Sequence, residues 1–572
     1  MKIQGAVIAF VLTAVACGGD GEDGANGAST LALLVPEPAG TNCPNGGTRL
    51  DTGIDDNNNG ALDSDEVDAS SFICGGVEGT SSTLSAEPPG SNCTFGGTRI
   101  DVGVDSDNSG AVDPSEIIET RYVCDVTASA FTGLLYVADR NLPRMAELFS
   151  TPADDGANAQ KLIGPRSSSS SVADFKVSPD GTRVVVRGDI ETEGVFELFV
   201  VDLLSPAAPL KVNGPLVPGG DVGNYAWSPD GNSLAYSADQ FVDAVLELFI
   251  VGADGTGNRR VNQTLPTDGD VLVFAWSPDG SRVAYIADET TNDVFELFTA
   301  TADGTGRSTV NRALLPDTDV ERFAWSPDSD QIAYAAGTFP STSELFVSDL
   351  DGANTTPVTD DLVAGGRVIE FAWAPDGIRL AYRADQDTDE IFELYTVAPD
   401  GTGTEKVSGA LVSGGNVSND AFAWSPDGSR ILYRADQDAD EVFELYTVAP
   451  DGTGNRKVSG DLVSGGDVSD RAFAWSPDGS RIAYLADQHV DDVVELFAVA
   501  LDGSDRVPVN SELGPGGDVV ELVWSPDSSH VAYRADQDAD QVFDLYAAAV
   551  DGSGIVRLTN GVGNVFEGLA WR

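Results

Sequence analysis

The sequence predicts an all-β protein in which residues 132–572 form one large β-propeller, preceded in the chain by two small cysteine-containing modules. Three observations predict the propeller. A repeat of about fifty residues runs through this region, each repeat reads as four short strands, and the partial repeats at its two ends complement each other.

An aromatic position marks each repeat and ends its first strand, as in the run Phe473-Ala-Trp-Ser-Pro-Asp-Gly479. Successive positions lie 47 to 51 residues apart, which is the length of a four-stranded propeller blade. The positions are Val177, Trp227, Trp276, Trp325, Trp373, Trp424, Trp475, Trp524 and Trp571.

Alternating apolar and polar residues predict the other strands, which in the repeat of Trp475 cover residues 481–485, 493–499 and 507–509. Ser-Pro-Asp-Gly suits a type I turn between the first two strands, because Pro presets φ at its second position. Asp-Gly pairs suit the turn from the third strand to the fourth.

The two ends of the repeat region argue for a closed ring over an open solenoid. The region starts with a second, third and fourth strand at residues 134–137, 147–149 and 161–163, and ends with a lone first strand at 568–571. Together they make one blade, so the N- and C-terminal strands close the ring. Eight full repeats and this composite predict eight to nine blades, with one repeat outside the ring as the open alternative.

These repeats resemble the WD-like propeller of the periplasmic TolB family. The resemblance rests on the Phe-Ala-Trp-Ser-Pro-Asp-Gly run, the Ala-Tyr strand after it and the later Glu-Leu-Phe or Glu-Leu-Tyr, and it covers residues 132–572. It implies an extracytoplasmic binding scaffold and does not identify a ligand.

The N-terminus predicts export. Lys2 precedes an apolar run, residues 3–16, that is too short to span a bilayer. The run ends in Leu12-Thr-Ala-Val-Ala-Cys17, which resembles a bacterial lipobox in which Cys17 is lipidated. The alternative is an ordinary signal peptide cleaved after Ala16. The lipobox predicts a cell-envelope lipoprotein, anchored in the outer membrane and touching the membrane only through its lipid, with residues 18–29 as a flexible glycine-rich tether.

Two homologous modules, 30–78 and 79–127, follow at an offset of 50 residues. Their cysteines are even in number, and the repeat predicts two disulfides, Cys43–Cys74 and Cys93–Cys124.

Each module carries a twelve-residue loop of the EF-hand calcium type. Oxygen ligands stand at loop positions 1, 3, 5 and 9, glycine at 6, a backbone carbonyl donor at 7 and a bidentate Glu at 12. The predicted ligands are Asp55, Asn57, Asn59, Ala61, Asp63 and Glu66 in the first loop and Asp105, Asp107, Ser109, Ala111, Asp113 and Glu116 in the second. The segments before the loops, 48–54 and 98–104, look like strands, which predicts structural Ca²⁺ sites without the two-helix switch. The alternative is a pair of Asx-rich surface turns.

The charge balance excludes nucleic acid as a partner, because 92 acidic and 32 basic residues give a net charge of −60. The loops between second and third strands, with the Gly-Gly-Asp loops between blades, predict an acidic propeller face that binds calcium or a basic protein. Solvated turns are the alternative. The acidic residues concerned are Asp385, Asp387, Asp389, Asp436, Asp438, Asp440, Asp536, Asp538 and Asp540.

No catalytic motif is found, and the two histidines, His489 and His530, belong to no metal-ligand pattern. A glutamate that recurs in the third strand, as at Glu444 and Glu495, reads as a structural position. The sequence therefore predicts a non-catalytic, protein-binding scaffold. The alternative is a carbohydrate-active enzyme with a carboxylate pair in the propeller channel.

Overall fold

The computed structural model describes residues 133–571, apart from 140–145, 153–158, 165–169, 205–207, 339–340 and 560–564, together with six strands between residues 29 and 124. The chain divides into two compact units, Met1–Ala130 and Phe131–Arg572. Within these residues, no helix has the length and apolar character needed to cross a membrane.

The first unit contains two three-stranded antiparallel sheets of matching register. Gly47 pairs with Cys74 in the first sheet, as Gly97 pairs with Cys124 in the second. The segments before both calcium-type loops are strands, as the sequence predicts. The strands are β1 (Ser29–Glu37), β2 (Gly47–Asp55), β3 (Val67–Cys74), β4 (Thr80–Glu87), β5 (Gly97–Val104) and β6 (Ile117–Cys124).

The second unit is a nine-bladed β-propeller, counted over the described strands, and every blade is a four-stranded antiparallel sheet. This confirms the predicted fold and places all nine repeats in blades. The chain enters with three strands of a composite blade, which are β7 (Gly133–Ala138), β8 (Glu147–Pro152) and β9 (Gln160–Ile163).

Eight complete blades follow. Blade 1 is β10 (Val172–Val177), β11 (Arg183–Gly188), β12 (Glu197–Asp202) and β13 (Leu210–Lys211). Blade 2 is β14 (Val222–Trp227), β15 (Ser233–Ala238), β16 (Glu247–Gly252) and β17 (Arg259–Arg260). Blade 3 is β18 (Val271–Trp276), β19 (Arg282–Thr291), β20 (Val294–Thr301) and β21 (Ser308–Thr309). Blade 4 is β22 (Asp319–Trp325), β23 (Gln331–Thr338), β24 (Thr342–Asp349) and β25 (Thr355–Pro357).

Blade 5 is β26 (Val368–Trp373), β27 (Leu380–Ala384), β28 (Glu393–Val397) and β29 (Glu405–Lys406). Blade 6 is β30 (Val417–Trp424), β31 (Ile431–Ala435), β32 (Glu444–Val448) and β33 (Arg456–Lys457). Blade 7 is β34 (Val468–Trp475), β35 (Arg481–Ala486), β36 (Glu495–Ala500) and β37 (Val507–Pro508). Blade 8 is β38 (Val519–Trp524), β39 (His530–Ala535), β40 (Asp544–Ala549) and β41 (Val556–Arg557), and β42 (Val565–Trp571) completes composite blade 9.

The second and third strands of each blade form the core, which explains their nearly continuous apolar runs. A tyrosine in the second strand packs against an aromatic ring of the third in blades 2 to 9, with ring centroids 5.2 to 5.6 Å apart. In blade 6, for example, Tyr433 and Tyr446 are both almost fully buried.

The marker tryptophans join each blade to the one before it. The indole Nε1 of each tryptophan donates to a backbone carbonyl in the first strand of the preceding blade, at 2.9 to 3.3 Å. Trp475, for example, donates to Ala423 O. Consecutive first strands are therefore neighbours around the central channel.

The ring closes through composite blade 9, as predicted. β42 pairs with β7, placing Leu569 opposite Tyr136. On one side Tyr136 shares a core with Leu545 of blade 8, and on the other Val137 shares a core with Val184 of blade 1. The Trp571 indole donates to Val523 O, but blade 1 carries Val177 at the tryptophan position, so the seam between blades 9 and 1 has no indole donor.

Candidate functional site

The acidic face is the end of the propeller formed by the 2–3 loops, which join second and third strands, and the 4–1 loops, which join one blade to the next. Antiparallel pairing puts both kinds of loop at the same end. The turns of the sequence Ser-Pro-Asp-Gly and the third-to-fourth-strand turns lie at the other end, the turn face.

The first aspartate of each predicted acidic loop is buried and holds the loop together. Asp436 is 3% exposed, accepts a bond from Asn416 N through Oδ1, and accepts a second from Glu441 N through Oδ2 at 3.1 Å. Asp385 and Asp536 make the corresponding pairs of bonds in blades 5 and 8. These three carboxylates are thus engaged within the fold and are not presented to solvent.

The 4–1 loops add a second carboxylate that links adjacent blades. In the loop before blade 7, Asp467 Oδ1 accepts from Phe443 N of blade 6 at 2.6 Å, and Asp467 N donates to Asp487 Oδ1 at 2.5 Å. Burial raises the pKa of Asp467 and of its blade 8 counterpart Asp518 above the ordinary aspartate value. Hydrogen bonds between aspartate carboxylates and backbone amides therefore connect the loops of adjacent blades at the acidic face.

The second and third aspartates of the loops are the exposed carboxylates. They are Asp387, Asp389, Asp438, Asp440, Asp538 and Asp540. Two of them have a cationic neighbour, since Lys406 Nζ lies 3.1 Å from Asp387 Oδ2 and Arg557 Nη1 lies 2.9 Å from Asp538 Oδ2.

The third aspartate also explains the paired glycines of the 4–1 loops. Gly365 has φ of +97°, and a Cβ there would lie 2.7 Å from Asp389 Oδ1. The third aspartate thus lies against the glycine backbone of the 4–1 loop. This close contact fixes the position of the aspartate at the rim of the acidic face.

The recurring third-strand acid is structural, as predicted. Glu444 Oε1 accepts from Lys457 Nζ of the fourth strand at 2.7 Å, and Glu247 Oε1 accepts from Arg260 at 2.6 Å. The same pairing links Lys161 with Glu147, Lys211 with Glu197, Lys406 with Glu393 and Arg557 with Asp544. His489 bonds Glu495 at 2.6 Å in blade 7. Each of these six fourth-strand cations therefore neutralises a buried acid beneath the loops.

Ion pairs also surround the channel at this end. Arg187 binds Asp174 in blade 1, and Arg534 binds Glu521 in blade 8 at 3.1 Å. Arg434 of blade 6 reaches the first strand of blade 7 and pairs with Asp470. Among the described channel residues, Glu321 has a pKa raised by burial, opposed by Arg322 and Arg367.

The predicted calcium, disulfide and lipid sites lie largely outside the described residues. Asp55 ends β2, Cys74 ends β3 and Cys124 ends β6, with no description of their side chains. Outside the described residues are Cys17, Cys43, Asn57, Asn59, Ala61, Asp63, Glu66, Cys93, Asp105, Asp107, Ser109, Ala111, Asp113 and Glu116. Within the part of the chain that is described, no group of three or more His, Cys, Asp or Glu side chains is placed to hold a metal ion.

Sequence reasoning treated all loop aspartates alike and missed the structural role of the first. A signal was present: in eight blades an aspartate stands three residues after the core residue of the second strand, and only blade 4 has a glycine, Gly337, at that place. A strictly periodic acid flanked by variable ones is typical of a fold-determining position.

Two family models match parts of the chain. A domain of unknown function (DUF7151) matches twice, over residues 30–74 and 80–124. The lipoprotein LpqB β-propeller domain matches residues 249–466, from the third strand of blade 2 to the loop after blade 6. No curated protein sequence matches the chain.

Solved structures that match this chain do so at low identity. A eukaryotic initiation factor is 12% identical, with 77% of this chain and 98% of that chain covered and a TM-score of 0.51. Dipeptidyl peptidase 4 of Porphyromonas gingivalis is 13% identical, and the alignment covers 67% of this chain and 59% of the peptidase at a TM-score of 0.50. A putative TolB from Agrobacterium tumefaciens is 17% identical, with 49% and 89% covered and a TM-score of 0.29. The chain is thus a nine-bladed propeller protein, part of whose ring is similar to the lipoprotein LpqB propeller domain.

Proposed function

We propose that this protein is a lipid-anchored scaffold of the bacterial cell envelope that binds a basic protein through the acidic face of its propeller, without catalysis. Cys17 carries the lipid, and two Ca²⁺ ions hold the N-terminal modules. The match to a lipoprotein propeller domain and the lipobox-like N-terminus support the anchor.

The main support for the proposal is that the aspartates of each acidic loop have different roles. A buried first aspartate fixes each loop, and the second and third aspartates stand exposed at fixed places, as Asp438 and Asp440 do beside buried Asp436. Preorganised charges of one sign cost little ordering entropy on binding and attract an oppositely charged partner. A solvated turn needs no such internal support.

The ion pairs around the channel support binding over catalysis. A glycosidase pair needs one carboxyl group that can donate a proton and a second that remains free. Asp174, Asp470 and Glu521 each accept contacts from an arginine instead. Glu321 has a pKa raised by burial, and the charges of Arg322 and Arg367 oppose that rise. Repeat-symmetric loops likewise favour a broad contact surface over a single reactive centre.

A charge-neutralised variant tests the proposal. Six exposed carboxylates become asparagine in Asp387→Asn, Asp389→Asn, Asp438→Asn, Asp440→Asn, Asp538→Asn and Asp540→Asn. We expect quantitative capture of a partner from envelope extract to fall at least about tenfold, because steering and contact charge are both lost.

The matched control removes six charges from the turn face. It carries Asp254→Asn, Asp303→Asn, Asp400→Asn, Asp451→Asn, Asp502→Asn and Asp551→Asn, at turns where asparagine keeps the local geometry. The control should capture the partner as the unaltered protein does. Equal loss in both variants would show a nonspecific effect of net charge and refute a role for the acidic face.

A further inference from the structure

Blade 4 breaks the symmetry of the acidic face. Where other blades carry the buried aspartate it has Gly337, and β23 and β24 continue their pairing to Thr338 and Thr342. A ladder therefore replaces the wide loop, and Ser343 Oγ donates to Val368 O of blade 5 at 2.7 Å in place of the usual carboxylate–amide bonds.

A cleft of about 940 Å³ lies beside the extended β23–β24 pairing, between three segments of chain. Its walls are the 4–1 loop at residues 312–318, the strand residues 336–338 and 342–344, and the 4–1 loop at residues 361–366. The volume lies in the range of sites that take a small molecule or a few side chains.

The lining of the cleft is part polar and part aliphatic, and the two 4–1 loops supply the aliphatic part. Leu314, Leu315, Leu362 and Val363 line it, and Leu315 is 69% exposed. Covering an aliphatic side chain of that exposure is favourable, since it removes apolar surface from water. The cleft therefore favours an aliphatic group.

The charges around the cleft favour a cationic molecule. Arg312 is the one cationic side chain among the lining residues, and it is engaged: its guanidinium lies 4.1 Å from the Phe346 ring centre and 3.5 Å from Glu344 Oε2. Asp361 also lines the cleft, and the neighbouring Asp317 and Asp360 are exposed. Arg312 and the four carboxylates Glu344, Asp361, Asp317 and Asp360 together carry a net negative charge.

We infer that the cleft of blade 4 anchors an aliphatic side chain within a short, extended, lysine- or arginine-rich segment of the partner protein. The inference rests on the proposed function and names the partner's contact segment. The aliphatic wall supplies the anchor, and the surrounding carboxylates select the flanking cations.

The test uses the full-length protein and fluorescently labelled peptides. The probe is acetyl-Lys-Leu-Leu-Lys-amide, and the comparison peptides are acetyl-Lys-Ser-Ser-Lys-amide and acetyl-Glu-Leu-Leu-Glu-amide. Fluorescence anisotropy should show the leucine–lysine peptide binding at least about tenfold more tightly than either comparison.

Leu315→Asp should weaken binding of the leucine–lysine peptide by about tenfold or more. Its control is Ile378→Asp, since Ile378 is 66% exposed in a turn-face turn of blade 5 and should not affect binding. Ala364→Trp fills the cleft from a position that is exposed, and it should also abolish binding. The two cleft variants should melt as the unaltered protein does.

Equal binding of the serine and leucine peptides would overturn the cleft inference while leaving the acidic face as an electrostatic surface. Absence of binding by all three peptides would overturn it as well. Either result is distinguishable from failure of the proposed function, which is judged by capture of the envelope partner with the two sixfold variants.

Discussion

A single buried carboxylate fixes the 2–3 loop in blades 1 to 3 and 5 to 8. Asp385 is 1% exposed and uses both oxygens on backbone amides, Arg367 N at 2.6 Å and Glu390 N at 3.0 Å. Glu390 has φ of +65°, a left-handed conformation that ordinarily favours glycine. The bond to the carboxylate compensates this strain, so loop shape depends on the aspartate more than on the exposed residues.

Asp436→Ala should therefore destabilise the propeller by about 2 to 4 kcal/mol, because it leaves two partly buried backbone amides, Asn416 N and Glu441 N, without their acceptor. Asp438→Ala, two residues further and exposed, should change the free energy of unfolding by less than about 0.5 kcal/mol. Urea unfolding of both variants measures the difference. Similar effects would show that Asp436 does not hold the loop.

The first strand and its tryptophan are the element that joins blades into a ring. The run Phe-Ala-Trp-Ser-Pro-Asp-Gly made this strand and its turn predictable, since periodicity and turn chemistry are local properties of sequence. The cleft of blade 4 was not predictable, because it depends on how far β23 and β24 pair. The periodicity of the first aspartate marks its position in the sequence, but its hydrogen bonds to Asn416 N and Glu441 N are visible only in the structure.

Deletion of residues 565–572 should open the ring. It removes β42, its pairing with β7 and the Trp571 bond to Val523 O, and it exposes a blade edge. We expect the melting temperature to fall by several degrees or more. Trp571→Phe keeps the strand and loses only the indole bond, so it should melt between the deletion and the unaltered chain.

The same melting temperature for the deletion variant and the full chain would contradict closure through β42.

Calcium binding by the two N-terminal modules remains a prediction. Glu66→Gln together with Glu116→Gln should abolish most of the calcium-induced rise in melting temperature, because position 12 supplies two of the oxygen ligands. A ligand at a hundredfold excess over its Kd adds about 2.7 kcal/mol to the folded state. Differential scanning calorimetry in calcium and in chelator measures the effect.

Glu390→Gln with Glu441→Gln is the matched control, since it removes two exposed acids from the propeller. No calcium-dependent change in the melting of the unaltered protein would contradict the modules' assignment.

At the scale of the whole molecule, the turn face contains repeated aspartates whose pKa is lowered by hydrogen bonds from the turn. Thr301 and Thr305 lower the pKa of Asp303 to about 2, and Thr453 lowers that of Asp451. The equivalent aspartates with a lowered pKa are Asp254, Asp400, Asp502 and Asp551.

Stability should accordingly fall in acid. A folded pKa below the unfolded value of 3.8 means that the contribution of each aspartate is complete above pH 3.8 and is lost as the pH falls through the folded pKa, towards 2 for Asp303. The urea midpoint of the turn-face sixfold variant should depend less on pH over this window than that of the unaltered protein. The same pH dependence of the urea midpoint in both proteins would show that these turn aspartates do not stabilise the fold.

Hydrogen–deuterium exchange with the captured partner shows which face of the propeller the partner covers. We expect protection of the 2–3 and 4–1 loops, including residues 385–390 and 436–441, with the cleft segment 312–318 among the protected peptides. The turn-face segments, such as 425–430 and 449–454, should exchange as in the free protein. Protection confined to the turn face would contradict binding of the partner at the acidic face.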